Sequence, residues 1–77
     1  MTQAPPEAPG AIRVRLDVLL AERGVKVAEL AERIGIPPNN VSRIKNGHID
    51  GVRFSTLAAI CHVLRCQPGD LLTYDED

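Results

Sequence analysis

The stretch from Val27 to Gly47 constrains the fold of this chain more than any other. An apolar stripe of helical period stops at a glycine, restarts behind two prolines and stops at a second glycine. Val27, Leu30, Ala31 and Ile34 recur at i, i+3, i+4 and i+7, the spacing that puts side chains on one helical face. Gly35 follows where a helix end calls for a positive φ. Ile36-Pro37-Pro38 makes a short connection, and Pro38 suits the first turn of a new helix because its missing N–H would be unpaired there anyway. Val41 and Ile44 then give a third helix, Pro38 to Asn46, a single apolar edge before Gly47 stops it. Helices joined so tightly lock at a fixed crossing angle through Leu30, Ile34, Ile36, Val41 and Ile44, with Ala31 small where they approach.

The same period recurs on both sides. Leu16, Leu19, Leu20 and Ala21 give a stripe over Val14 to Arg23, closed by Gly24. Phe54, Leu57, Ile60, Cys61 and Leu64 mark a fourth helix, and Pro68 to Leu72 a short fifth one. His48 to Arg53 reads as a polar loop. No alternating strand pattern stands out, so the expected class is all-α, with five helices. Pro5, Pro6, Pro9 and Gly10 mark residues 1–11 as a disordered leader. The domain is expected over 12–74, followed by an acidic tail, 75–77.

Composition narrows the functions such a domain can carry. A chain of 77 residues makes one domain and buries only ~60% of the surface its unfolded form exposes. Phe54 and Tyr74 are its only aromatics, which disfavours modules that stack bases on several rings. The formal net charge of −1 is unevenly spread. Asp70, Asp75, Glu76 and Asp77 crowd the C-terminus, whereas Arg43, Lys45 and Arg53 face only Asp50 in the middle. Salt screens charges beyond ~8 Å, so the local sign matters more than the sum. There is no run of apolar residues long enough to span a membrane and no secretory leader pattern, so a cytoplasmic setting with no membrane partner is expected. Cys61, His62 and Cys66 supply three candidate metal ligands. Both cysteines fall on apolar positions, however, and the expectation is core packing, with no metal and no cofactor. No Ser, Cys or carboxylate stands in a catalytic spacing, so the chain is not read as an enzyme.

The spacing over Val27 to Gly47, with Ala31, Gly35 and Asn46-Gly47 in place, resembles the Cro/CI-type (Xre family) helix-turn-helix of lambda-repressor-like transcriptional regulators. Cys66-Gln67-Pro68-Gly69-Asp70-Leu71-Leu72 is similar to the turn that follows the fourth helix in that family, and the resemblance covers about Arg13 to Tyr74. It implies a sequence-specific regulator of double-stranded DNA, a repressor by expectation, whose third helix enters the major groove. Pro38, Asn39, Asn40, Ser42 and Arg43 then face the DNA. Asn39 and Asn40 suit adenine N6 and N7, and Arg43 suits guanine O6 and N7 or a phosphate. Lys45, Asn46, His48 and Arg53 are placed for the backbone, which sets position rather than sequence. Arg13 and Arg15 are further candidates for phosphates or a minor groove.

Three departures from the family pattern stand out. Lys26-Val27 replaces a Ser or Thr cap followed by Gln, removing a cap worth ~1 kcal/mol. Leu20 and Lys45 occupy positions where many members pair Arg with Glu. The loop before the fourth helix lacks the usual proline. One short helix contacts few base pairs, so a homodimer is expected, with Leu71, Leu72 and Tyr74 as candidates for its interface. The alternative is an antitoxin-like module that binds a protein partner as well as DNA.

Overall fold

The computed structural model describes residues 11–75. Five helices follow in order: α1 (Leu16–Arg23), α2 (Val27–Ile34), α3 (Pro38–Lys45), α4 (Phe54–Leu64) and α5 (Pro68–Leu71). They are flanked by two short strands, β1 (Ala11–Val14) and β2 (Leu72–Asp75). The body is an all-α helix-turn-helix arrangement. The strands correct the expectation of none, and they correct two helix ends as well. Val14 belongs to β1, so α1 starts at Leu16, and Leu72 leaves α5 for β2.

The strands pair antiparallel, Ala11 opposite Asp75, Ile12 opposite Tyr74, Arg13 opposite Thr73 and Val14 opposite Leu72. The Arg15 N–H continues the ladder to the Leu71 carbonyl at 2.8 Å. Four-residue strands are too short to show a period, and their partners lie at opposite ends of the chain. Ile12 and Val14 share one face with Leu72 and Tyr74, while Arg13, Thr73 and Asp75 share the other. On that polar face the Arg13 Nε donates to the Asp75 carboxylate at 3.1 Å. Asp75 therefore sits in the ribbon rather than in a free tail, and Ala11 lies in β1 rather than in the leader. The rest of the expected leader, residues 1–10, and residues 76–77 lie outside the described residues.

Leu16, Leu30, Val41, Ile60, Leu64 and Leu71 are fully buried and draw side chains from every helix into one core. Leu71 is 1% exposed, so it is a core residue and not an interface candidate. Phe54 departs from its expected stripe in the other direction and is 85% exposed. As the first residue of α4 its Cβ tilts back past the helix end, where no element among the described residues covers it. Cys66 is buried and Cys61 half-buried, both as free thiols, in keeping with core packing. Burial, and next the neighbouring Cys61, push the Cys66 thiol above its ordinary pKa.

Two helix ends are held by side chains. The Arg23 Nε of α1 donates to the Leu64 carbonyl at the end of α4, at 2.8 Å. The chain reverses after α4 through Arg65 in the left-handed region, φ 54°. At α5 the Gln67 N–H donates to the Asp70 carboxylate at 2.9 Å.

Candidate nucleic-acid interface

The site is built on the short reversal between α2 and α3. Gly35 takes φ 76°, and its N–H and that of Ile36 both donate to the Ala31 carbonyl, at 2.8 and 3.1 Å. A Cβ at Gly35 would meet open space, so the turn needs glycine for its backbone angle and not for room. Pro37 is extended, Pro38 opens α3, and the Pro37 carbonyl accepts the Asn40 N–H at 3.0 Å. Lys26 precedes α2 without a side-chain cap, as the sequence implies.

With Val41 and Ile44 buried, α3 is anchored along one edge and its polar face points outward. Pro38, Asn39, Asn40 and Arg43 are exposed, and Ser42 and Lys45 are half-buried at the flanks. Asn39, Ser42, Arg43 and Asn46 follow one another at i, i+3, i+4 and i+7, so they form one ridge. The helix ends at Lys45, with Asn46 as its cap and Gly47 at φ 76°, one residue before the expected end. The His48 N–H returns to the Arg43 carbonyl at 2.9 Å, folding the following loop back against α3.

That fold-back creates an open cleft of about 550 Å³ beside α3. Asn40 and Arg43 meet Arg53 there, although Arg53 lies on a loop with no family proline to shape it. His48 and Asn46 are exposed at the end of α3 but do not line the cleft. Asp50 and Thr56 also line it, and the sequence marks neither as a site residue, Asp50 standing there only as the one acid facing these cations. Ile49 and Val52 form part of its wall, half-buried against the core, so this loop is not simply polar. Their spacing of three in a stretch of polar residues was the available signal. Among the described residues, the ion pairs are Arg13–Asp75 and Arg23–Glu22, which leaves Arg43, Lys45 and Arg53 free to meet an external anion. Arg13, by contrast, is engaged within the ribbon.

The model of the Cro/C1-type HTH DNA-binding domain matches residues 15–77. The chain belongs to that family. This Cro/C1-type protein is a DNA-binding transcriptional regulator that reads sequence through its helix-turn-helix. It is 52% identical over 67 residues to the uncharacterized HTH-type transcriptional regulator YozG of Bacillus subtilis strain 168, covering 87% of this chain and 80% of that one. A solved structure from Bacteroides fragilis is similar with a TM-score of 0.74 at 25% identity, over 82% of this chain and all of the other. The clp gene regulator ClgR of Corynebacterium glutamicum is similar with a TM-score of 0.67 at 32% identity, over 73% of this chain and 58% of its own. Strand β1 precedes the residues matched by the family model. No helix among the described residues is long and apolar enough to cross a membrane, and no three potential metal ligands cluster there.

Proposed function

We propose that this protein is a repressor of the five-helix, lambda-repressor-like kind, which lays α3 in the major groove of its operator as a homodimer. The observation that carries the reading is the outward ridge of Asn39, Ser42, Arg43 and Asn46 on a helix anchored only by Val41 and Ile44. Asn39 and Asn40 offer the paired donor and acceptor that suit adenine, and Arg43 offers the fork that suits guanine. Lys45, Asn46, His48 and Arg53 fix the helix on the phosphates around that contact. Pro38 brings the start of α3 to the groove edge. Two such helices related by a two-fold axis read two half-sites about one DNA turn apart.

Selection of duplex DNA by the purified protein, followed by titration over salt, tests this reading. A short two-fold symmetric site is expected, with log affinity falling against log salt by about 0.9 per phosphate neutralised. Arg43→Ala is expected to cost about 1–3 kcal/mol at a guanine and to relax preference at that base pair. Retention of both affinity and preference would remove Arg43 from base contact.

A further inference from the structure

We propose that Cys61 and Cys66 form a redox pair: a small-molecule disulfide oxidises the two thiols to a bridge that fastens the end of α4 to the segment leading into α5. The pair stands where the backbone itself brings two residues together. The Cys66 N–H donates to the Cys61 carbonyl at 3.0 Å, with Arg65 between them in the left-handed region. This is the Schellman turn, in which side chains at the two ends of the six-residue ring commonly touch. Helices α1, α2 and α3 close in the same way, with bonds from Val25 to Leu20, Ile36 to Ala31 and His48 to Arg43. Of these turns, only that of α4 pairs two thiols.

The spacing suits a bridge. The path from Cα to Cα through that hydrogen bond sums to about 7 Å if straight, and its trigonal angles shorten it. A disulfide takes Cα atoms about 4.4–6.8 Å apart. The thiols themselves are neighbours, since the Cys61 side chain helps hold the proton of Cys66. Arg23 grips the Leu64 and Arg65 carbonyls within the ring, which holds it in one shape before any bridge forms. Among the described residues no third potential metal ligand joins the two cysteines.

Exposure sets the order of the steps. Cys61 is half-buried and Cys66 buried, so Cys61 meets the oxidant first. Its thiolate attacks one sulfur of the small disulfide and releases the other as a thiolate. The Cys66 thiolate then attacks the Cys61 sulfur of the mixed disulfide and expels the second small thiol. The chain gives up two electrons and two protons, and the oxidant takes them up as two thiols. Around Cys66, Arg23 of α1 favours the thiolate, while burial, Cys61 and Asp70 of α5 oppose it. The closing step therefore quickens as the pH rises. Neither cysteine lines the cleft beside α3, so the bridge acts on the stability of the domain and not on its outward ridge.

The test equilibrates the full chain with reduced and oxidised glutathione, folded and in urea, and reads the intact mass after an acid quench. The folded chain is expected to give a monomer two hydrogens lighter, with no glutathione attached. Trypsin cuts after Arg53 and Arg65, so the bridge joins peptide 54–65 to peptide 66–77. Folding should favour this bridge at least about tenfold over the chain in urea. By linkage the bridge stabilises the fold by the same factor, a rise in Tm of at least about 5 °C. Cys66→Ala should stop at a glutathione adduct on Cys61. Cys61→Ser should leave Cys66 unmodified until urea unfolds the chain. Circular dichroism confirms that each variant is folded, and the wild-type mass and Tm decide the matter without them. A folded wild-type chain that stays reduced where the chain in urea is bridged overturns the proposal. So does a bridge that lowers Tm, or oxidation that yields only glutathione adducts or linked dimers.

Discussion

The contact most exposed to a quantitative test is the clasp between α1 and α4. The Arg23 guanidinium donates through Nε to the Leu64 carbonyl at 2.8 Å, and Nη2 reaches the Arg65 carbonyl at 3.4 Å. Leu64 is the last residue of α4, so its carbonyl has no acceptor role inside the helix. A hydrogen bond from a charged donor contributes about 1.5–3 kcal/mol. The Arg23 side chain is 36% exposed, which argues for the low end of that range. Its neighbouring ion pair with Glu22 is exposed and adds little. The weaker Nη2 contact and the negative end of the helix dipole add a few tenths more. Arg23→Met keeps most of the aliphatic stem and should therefore cost about 1.5–2 kcal/mol. In a domain of this size that corresponds to a fall in Tm of about 6–16 °C. Thermal and urea unfolding followed by circular dichroism read the change, and Arg23→Lys should recover only part of it because a single ammonium replaces a fork. A change below about 0.3 kcal/mol for Arg23→Met would refute the assignment of this contact as a helix clasp.

Three further outcomes follow from local geometry. Arg65 holds φ 54° without being glycine, so Arg65→Gly should stabilise by up to about 1 kcal/mol, read as a higher urea midpoint. Gly35 needs φ 76° but has open space around it. Gly35→Ala should cost about 1–2 kcal/mol of stability, and Gly35→Asn less, by the same urea assay. Burial and the nearby Cys61 raise the Cys66 pKa, so the folded chain releases this proton only above the ordinary thiol pKa at which the unfolded chain ionises. Stability should be level below that pH and decline as the pH rises towards the folded value. Cys66→Ala should flatten that decline, and an equal decline in the variant would assign it to another group.

The helix-turn-helix was legible in the residues because its constraints are local. Leu30, Ala31, Val41 and Ile44 announce their burial by spacing within one or two turns, and Gly35 announces its backbone angle by being glycine. The polar ridge of α3 was legible for the same reason, since anchoring Val41 and Ile44 leaves Asn39, Arg43 and Asn46 to face outward. The cleft that joins Arg43 to Arg53 was not. It depends on the loop folding back through His48 and on Ile49 and Val52 finding the core, both contacts between separate elements.

The ribbon marks the limit most clearly. Its two strands hold four residues each, too few to express a period, and each is completed only by a partner at the far end of the chain. Leu71 and Leu72 look alike in sequence, yet one seals the core and the other starts β2. Phe54 carries the apolar character of a core residue and lies in the open because α4 begins there. Sequence by itself determined the helices, their turns and the outward chemistry of α3, through forces acting over a few residues. Tertiary structure alone decided what closes the ends of the domain, because pairing and burial there depend on residues that only folding brings together.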